Sequence, residues 1–414
     1  MNNFVEKELA KGTIIPSESA QASPVFFVGK KDGSLRPCQD YRYVNSKTVK
    51  NAFPLPLIPP LLHKLRDAKY FTKFDIRQGY NNLRIDPNDR WKAAFVTEKG
   101  LFEPTVMFFG LCNSPPAFQA WMNHIFHIEI EEGWLIVYMD DILIFSLNLD
   151  EHHDQTNRVL EILVKEHLFL RPSKCVFDAE EVEYLGMVIK HRSVAMDPAK
   201  IRGISDWPVP KTLTETRLFL GACNFYRNFI PAYSTVARPL INLTKKNTPF
   251  QFGKEQLMAF AEMKQLFISA PVLVNPDPQH PFAIATDASL VATGAVLLQK
   301  DLNGDYHPCF YYSQSLNPAE QNYQIYDREL LAVVKAIKQW QPFLLGSDFP
   351  IIVYTDHLNL AYFRTPQNLT PRQSRWQFFL SEYDLKFTHV AGISPILRLH
   401  QEKPLGYIAL YSSI

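Results

Sequence analysis

The 414-residue sequence is poor in cysteine, in long apolar runs and in net charge, and each shortage excludes a class of protein. Its five cysteines include no Cys-x-x-Cys pair, which excludes a disulfide framework or a zinc knuckle and suits a reducing compartment. No stretch approaches the roughly 20 apolar residues of a membrane span, and the N-terminus lacks a signal-peptide pattern. Because the net charge is only +1, any nucleic-acid contact must come from local basic patches. We therefore expect a soluble, intracellular protein that is not secreted and does not enter membranes.

The composition that remains is that of a globular protein of several domains. Hydrophobic residues make up 46% of the chain and aromatic residues 13%, which is enough for two or three cores. An α/β pattern runs to about residue 195, and aromatic-rich helices set between prolines occupy residues 196–275. From residue 276, three strands, a helix and a fourth strand predict a mixed sheet with a helix crossing one face. The expected fold class is therefore α/β and α+β, over more than one domain.

In the first region the pattern predicts the elements that would carry its chemistry. Residues 24–36 have the signature of a β-hairpin with an Asp-Gly turn, and this hairpin carries Lys30, Lys31 and Arg36. Taken alone, the three basic residues are also compatible with a solvated turn. The other predicted elements are a helix over 4–11, a loop over 16–24, strands over 70–76 and 134–146, and helices from 114 and over 151–166.

Aspartates recur at the ends of apolar strands. They are Asp75, Asp140, Asp141, Asp287 and Asp356. Burying a carboxylate is costly unless it is paired or binds a cation, and Mg²⁺ held by carboxylates and substrate phosphates removes that cost. Two such ions about 3.5–4 Å apart serve polymerases and nucleases alike. Taken alone, an Asp-Asp pair between strands is more often a solvated turn, and Asp75, Asp287 or Asp356 alone could be a strand-terminating cap.

Glu329 lies near the start of a predicted helix that begins at about residue 327. It could be a first-turn acid that complements the helix dipole. However, it shares a helical stripe with Val333 and Ile337, which favours a side chain that faces the sheet.

These segments closely resemble the reverse transcriptase and ribonuclease H of gypsy-class long-terminal-repeat retrotransposons, which are parts of polyproteins. Order and spacing agree over about residues 6–392. The matching stretches are residues 22–42, 53–58, 74–80, 109–115, 138–141, 184–186, 219–221, 224–230, 286–289, 329–333 and 355–357.

The resemblance implies a right-hand polymerase followed by a ribonuclease H-like mixed-sheet domain. Fingers and palm would occupy residues 1–195, thumb and connection 196–275, a C-terminally truncated nuclease domain 276–392, and a divergent tail 393–414. It implies an RNA-directed DNA polymerase that uses Mg²⁺, with Mn²⁺ as an alternative, and deoxynucleoside triphosphates. The implied macromolecular partners are RNA and DNA primer-template and the RNA–DNA hybrid. The implied location is a cytoplasmic particle or the nucleus.

The resemblance also assigns residues. The implied catalytic and metal-binding acids are Asp75, Asp140 and Asp141 for the polymerase, with Ile76 at the metal site, and Asp287, Glu329 and Asp356 for the nuclease. The implied nucleotide-binding residues are Lys30, Lys31, Arg36, Ile76, Arg77, Gln78, Gly79, Tyr80 and Phe109. Among them, Tyr80 matches the aromatic residue that excludes ribonucleotides, although a lone tyrosine of this kind more often serves packing.

Three features depart from the family pattern. No acid follows the segment 389–392 where relatives carry a fourth nuclease carboxylate, which predicts reduced nuclease activity. Phe108 stands where the family usually has proline. Neither a protease nor an integrase flanks the chain, so it resembles an excised or degenerate piece of a polyprotein. A decayed or repurposed copy that binds primer-template without chemistry is the alternative, and an RNA-templated RNA polymerase is disfavoured by Tyr80 and the nuclease domain.

Overall fold

A computed structural model describes residues 2–29, 35–56, 58–301, 303–357 and 369–390. The chain divides into two compact units, Met1–Val182 and Glu183–Ile414. Within the described ranges, no helix is both long enough and apolar enough to cross a bilayer.

The first unit alternates short strands and helices. In chain order its elements are α1 (Asn2–Ala10), β1 (Ile14–Pro16), β2 (Ser23–Gly29), β3 (Leu35–Gln39), α2 (Arg42–Lys47), α3 (Ile58–Lys64), β4 (Tyr70–Asp75), β5 (Phe95–Thr97), β6 (Gly100–Pro104), α4 (Ser114–Ile125), α5 (His127–Glu132), β7 (Leu135–Tyr138), β8 (Asp141–Ser146), α6 (Leu149–Lys165) and β9 (Val176–Ala179). Two sheets result, with strand orders β1-β6-β5-β2-β3 and β7-β8-β4-β9.

The four-stranded sheet positions the first group of aspartates. Strands β4 and β8 run antiparallel with Asp75 opposite Asp141, and the β7–β8 ladder ends where Tyr138 pairs with the same Asp141. Helices α4 and α6 pack on this sheet in one core, to which α4 contributes Phe118 and α6 contributes Val159, both fully buried. Burial of a side chain such as Phe118 stabilises the fold by about 1.5–3 kcal/mol, which fixes α4 against the strands.

The second unit begins within a small sheet and continues through helices into a larger sheet. Its elements are β10 (Glu181–Tyr184, which starts just before the unit boundary), β11 (Met187–Lys190), β12 (Ser193–Met196), α7 (Pro198–Ser205), α8 (Leu213–Phe225), α9 (Tyr233–Val236), α10 (Arg238–Leu243), α11 (Lys254–Ile268), β13 (Leu273–Val274), β14 (Phe282–Ala288), β15 (Ala292–Lys300), β16 (Tyr306–Ser315), α12 (Pro318–Gln321), α13 (Ile325–Leu344), β17 (Ile351–Thr355), α14 (Pro371–Leu380) and β18 (Leu385–His389). The small sheet has the order β10-β11-β12-β13 and the large one β16-β15-β14-β17-β18.

The large sheet is mixed, as the sequence predicts. Strand β14 pairs antiparallel with β15 and parallel with β17, and the long helix α13 packs across it through Val333, Ile337 and Trp340. Strand β16 forms one edge, where Ser313 is bound by the preceding helical region. The Ser234 backbone N–H donates to Ser313 Oγ at 3.0 Å, and the Ser234 hydroxyl and the Arg227 guanidinium both donate to the Ser313 carbonyl oxygen.

The structure extends and corrects the predicted pattern in a few places. The predicted loop 16–24 contains the end of β1 and the start of β2. Val164 of α6 is apolar but 75% exposed, because the buried stripe follows Val159 and Leu163 and Val164 lies about a quarter of a turn beyond it. Helix α14 and strand β18 were not predicted from the sequence.

Candidate active sites

The first candidate site lies where β4, β7 and β8 end. Because β4 and β8 are antiparallel partners, Asp75 and Asp141 lie side by side, and Asp140 occupies the preceding turn. The turn is tied to β4 by the Ile76 backbone N–H, which donates to the Asp140 carbonyl oxygen at 3.1 Å. The structure therefore brings Asp75 close to Asp140 and Asp141, which follow it in the sequence by 65 and 66 residues.

The electrostatics of this site are those of a crowded acid cluster. Partial burial, followed by the negative charges of Asp140 and Asp75, raises the pKa of Asp141 above its usual range. The Lys73 ammonium, 3.5 Å from Asp141 Oδ1, opposes that rise. Like charges held this close favour a cation between them.

Asp75 is 8% exposed and faces two cations of its own. Arg171 Nη1 lies 3.5 Å from Asp75 Oδ1, and Lys174 Nζ lies 3.2 Å from Asp75 Oδ2. Within the described ranges, no three acidic, histidine or cysteine side chains converge with the spacing of a metal site. The ligand atoms nevertheless suit a hard divalent cation, because they are carboxylate oxygens and the buried Asp75 Oδ1 accepts no hydrogen bond from any residue that the structure describes.

A glycine and a group of aromatic residues adjoin these acids. Gly79 is buried, and a Cβ atom at this position would lie 3.2 Å from Asp140 Cβ and 3.6 Å from the Phe118 ring. The Tyr80 ring packs edge-on against Phe109 and Phe118, with ring centroids 4.9 and 5.6 Å apart. The Tyr80 hydroxyl donates to Met139 Sδ at 3.2 Å, so the ring is held from three sides.

The remaining predicted nucleotide-binding residues differ in what the structure shows of them. Arg77 and Gln78 are exposed beside the site, and Gln78 has a left-handed backbone, with φ 59°. Arg36 pairs with Val28 in the β2–β3 hairpin, which confirms the strand pairing that the sequence predicts. Lys30 and Lys31 lie outside the described residues.

The second candidate site lies at one edge of the large sheet. Ala285 pairs with Tyr354 in the parallel β14–β17 ladder, and two further residues along each strand place Asp287 beside Asp356. Glu329 approaches the same edge from α13, where it is 3% exposed. The predicted inward orientation of Glu329 is confirmed.

The pKa of Glu329 reflects the burial of its carboxyl group beside two further acids. Burial, followed by the charges of Asp356 and Asp287, raises the pKa of Glu329 to about 8, although the Ala288 backbone N–H donates to its carboxyl group. Its Oε2 atom is buried and has no hydrogen-bond partner among the described residues. A buried carboxylate oxygen without a donor, beside two further carboxylates, suits a divalent cation.

Both sites fall within sequence stretches that match known families. Residues 28–189 match the family described as "Reverse transcriptase (RNA-dependent DNA polymerase)", and residues 277–383 match the "RNase H-like domain found in reverse transcriptase". The first range includes Asp75, Asp140 and Asp141, and the second includes Asp287, Glu329 and Asp356.

The chain contains a reverse transcriptase domain and a ribonuclease H-like domain.

Curated relatives of this chain are polyproteins, and the similarity covers part of their length. The "Transposon Tf2-3 polyprotein" of Schizosaccharomyces pombe (strain 972 / ATCC 24843) is 37% identical over 396 residues, which cover 95% of this chain and 30% of the polyprotein. The Tf2-7 polyprotein of the same organism is 36% identical over the same coverage. The chain thus spans about a third of the length of these relatives.

Solved structures show the same fold. The foamy viral protease-reverse transcriptase dRH in complex with ds DNA superposes with a TM-score of 0.78 at 24% identity, over 93% of this chain and 68% of that one. The foamy viral protease-reverse transcriptase in complex with RNA/DNA hybrid gives 0.73 at 23% identity, over 99% of this chain and 55% of that one. The predicted architecture, a reverse transcriptase followed by a ribonuclease H-like domain, is confirmed.

Sequence reasoning missed several charged residues at the reverse transcriptase site. Lys73 could have been found, since it lies two residues before Asp75 on one strand and therefore on the same face. Arg171 and Lys174 reach Asp75 from a segment almost 100 residues away, and no local pattern marks them. Arg227, in the helical region 196–275, donates to the Ser313 carbonyl oxygen and lies 5.7 Å from the centroid of the Tyr233 ring.

Proposed function

We propose that this chain is the polymerase and nuclease part of a gypsy-class retrotransposon polyprotein, and that it acts as an RNA-directed DNA polymerase. The observation that carries the proposal is the meeting of Asp75, Asp140 and Asp141 at the ends of β4 and β8, within a reverse transcriptase domain. The proposed substrates are deoxynucleoside triphosphates and an RNA or DNA primer-template. The proposed location is a cytoplasmic particle or the nucleus.

The acids are proposed to bind Mg²⁺, with Mn²⁺ as a substitute, and the Ile76 main chain adjoins that site. When bound, a pair of such ions would activate the primer 3′-hydroxyl and stabilise the leaving pyrophosphate. Three basic side chains of the chain also contribute to this site. Lys73 offsets the negative charge of Asp141, while Arg171 and Lys174 hold Asp75 in place at the end of β4.

The incoming nucleotide is proposed to lie against Gly79, Tyr80 and Phe109. Gly79 allows the backbone to approach Asp140 closely, and the aromatic packing holds Tyr80 where it would contact the sugar. Arg77 and Gln78 line the exposed side of this position. Lys30, Lys31 and Arg36 of the hairpin are proposed to bind the triphosphate, because a hairpin with several cations suits a polyanion.

Helix α8 supports the proposal of a nucleic-acid duplex as partner. Its exposed face presents Arg217, Leu218, Gly221 and Phe225. Apart from the local backbone of α8, no heavy atom of the described residues lies within 4 Å of the position that a Cβ on Gly221 would take, so a duplex backbone or groove could approach the helix closely there. An arginine beside a small and an aromatic residue suits such contact, which would weaken as salt concentration rises.

The ribonuclease H-like domain is proposed to cleave the RNA of an RNA–DNA hybrid with reduced activity. Asp287, Glu329 and Asp356 supply three acids, and the segment in which relatives carry a fourth lies outside the described residues. Cleavage of a labelled hybrid by the Asp140→Asn protein isolates this activity from polymerisation.

The decisive test is extension of a labelled DNA primer on an RNA template with Mg²⁺ and deoxynucleotides. We expect full-length DNA that depends on the metal ion. If the protein binds the primer-template but adds no nucleotide, the enzyme proposal is wrong and the alternative holds, namely a repurposed binding protein.

Gly79→Ala is expected to lower the rate of nucleotide addition by about 10-fold to 100-fold. The added methyl group would lie 3.2 Å from Asp140 Cβ, so either Asp140 or the strand end must shift. Single-nucleotide addition under single-turnover conditions measures the effect. Gly203→Ala in α7 is the matched control, because a Cβ at Gly203 would meet no described residue within 4 Å apart from the local backbone of its own helix. An equal loss in both variants would contradict the close-approach argument.

Tyr80→Ala is expected to reduce the preference for deoxynucleotides over ribonucleotides by about 10-fold to 100-fold, because the void left by the ring accommodates a 2′-hydroxyl. Tyr80→Phe keeps the ring and its packing on Phe109 and Phe118, so it should retain the preference. Competition between the two nucleotide types on one template measures the ratio. Wild-type protein that adds ribonucleotides as readily as Tyr80→Ala would instead support an RNA polymerase.

A further inference from the structure

Helix α4 places one polar side chain, Gln119, in the apolar core beneath the catalytic turn. Gln119 is 0% exposed, and its neighbours in the same helix, Phe118 and Met122, are fully buried members of the core. A buried amide is costly unless its donors and acceptor are satisfied. The hydrogen bonds of Gln119 therefore indicate its structural role.

The Gln119 amide binds the backbone on the β7 side of the turn. Its nitrogen donates to the Val137 carbonyl oxygen at 3.0 Å and to Asn123 Oδ1 at 2.8 Å. Its oxygen accepts from the Met139 backbone N–H at 2.8 Å. The Gln119 side chain therefore bonds to the backbone of Val137 and of Met139, which lie three residues and one residue before Asp140.

The turn needs such a tie because its backbone is strained. Met139 has φ 53°, a left-handed conformation that residues other than glycine rarely adopt and that persists only where the surroundings hold it. The β7–β8 ladder ends at Tyr138 and Asp141 and so does not include Met139. On the opposite side, the Ile76 N–H holds the Asp140 carbonyl oxygen.

We infer that Gln119 is a positioning residue for polymerisation, which fixes the left-handed Met139 backbone and thereby the placement of the Asp140 carboxylate. The inference rests on the proposed function for its catalytic consequence. The position of Asp140 must be accurate, because its side chain packs closely against Gly79. A Cβ atom added at Gly79 would lie only 3.2 Å from Asp140 Cβ. A small rotation of the turn would therefore bring Asp140 into contact with the Gly79 backbone or withdraw it from Asp75 and Asp141.

The Gln119 amide makes two donations and one acceptance at once. An ionised glutamate could accept from the Met139 N–H but has no hydrogen to donate, and a protonated one has a single O–H donor in place of two N–H donors, so glutamate loses at least one bond in either form. A leucine would fill similar space with none of these bonds. Gln119→Glu therefore removes part of the hydrogen bonding to the turn, and Gln119→Leu removes all of it. Gln155→Leu is the matched control, because Gln155 is also buried, at 8% exposure, but donates to Glu151 within α6.

The first readout is single-turnover nucleotide addition as a function of nucleotide concentration. Gln119→Leu is expected to lower the maximal rate by about 10-fold to 100-fold with little change in apparent nucleotide affinity, because the turn presents an acid rather than a binding surface. Gln119→Glu should fall between Gln119→Leu and wild type. Gln155→Leu should retain the wild-type rate.

The second readout does not depend on activity. The Met139 methyl group, labelled with carbon-13 and assigned from its absence in Met139→Leu, reports the conformation of the turn in solution. Its resonance is expected to shift or broaden in both Gln119 variants and to stay unchanged in Gln155→Leu.

An unchanged Met139 resonance in Gln119→Leu would overturn the inference, whatever happens to the rate. Equal changes of the resonance in Gln155→Leu would overturn it too, since the effect would then belong to core packing in general. Should Gln119→Leu fail to fold, Gln119→Glu provides the same comparison. If wild-type protein adds no nucleotide, the proposed function fails, while the methyl resonance still decides whether Gln119 holds the turn.

Discussion

The Asp141→Asn protein is expected to extend a primer at least about 10³-fold more slowly than wild type, the scale of loss seen when a group that stabilises transition-state charge is removed. Asparagine keeps the size of the side chain and its place opposite Asp75, but it removes one of the three negative charges that would hold the metal ions. The loss should appear in the maximal rate and persist at saturating nucleotide. A time course of primer extension on an RNA template measures it.

Asp150→Asn is the control for this substitution. Asp150 is an exposed carboxylate in the first turn of α6, in the same unit, and its removal should leave extension unchanged. Thermal unfolding of both variants separates a loss of chemistry from a loss of fold. Extension by Asp141→Asn within about tenfold of wild type would exclude Asp141 from the metal site.

Glu329→Gln is expected to abolish hybrid cleavage, by at least about 10²-fold, while leaving primer extension intact. The substitution removes the acid that α13 contributes beside Asp287 and Asp356, and it keeps the shape of the side chain. Cleavage measured in the Asp140→Asn background reports the nuclease alone. Glu255→Gln, an exposed first-turn glutamate of α11, is the control and should cleave like its parent.

The same variant should change the pH dependence of stability in a defined direction. Because the pKa of Glu329 rises from 4.5 to about 8 on folding, its protonated form stabilises the folded protein fully below pH 4.5, and this contribution is lost as pH rises towards 8. Each pKa unit is worth about 1.4 kcal/mol, so the whole effect is on the order of a few kcal/mol.

Glutamine does not ionise, so in chelator the Glu329→Gln protein should gain melting temperature over wild type as pH rises from 4.5 to 8. Added Mg²⁺ should reverse the order, because the cation stabilises the ionised carboxylates of wild type. A constant difference across that pH range would show that the Glu329 carboxyl group has an ordinary pKa in the folded protein.

The strand ends could be predicted because the signals are local. Apolar runs that lead into aspartate at residues 75, 287 and 356 correspond to strands that end at or within one residue of that aspartate, and Asp141 begins β8. The parallel pairing of β14 with β17 follows from the helix between them. Glu329 could be oriented because helical periodicity links it to Val333 and Ile337. In each case the informative residues lie within one or two elements.

The groups that complete each site could not be predicted because their partners are distant in sequence. Arg171 and Lys174 reach Asp75 across about 100 residues, and Gln119 binds a turn on another element through contacts that no periodicity encodes. The apolar periodicity of α4 even argues against a buried Gln119, because a polar residue interrupts the pattern expected of a buried helix face. Backbone strain at Met139 is likewise invisible until the turn is built.

The binding of Ser313 by Ser234 and Arg227 has a consequence for how the chain can be divided. A strand at the rim of a sheet exposes unpaired backbone groups that invite pairing with another molecule, and such rims are a common origin of aggregation. Here the helical region that precedes the ribonuclease H-like domain covers part of the β16 rim with its own side chains. A fragment cut at residue 276 would leave that rim uncovered, so the helices and the sheet behind them are best kept together as one piece.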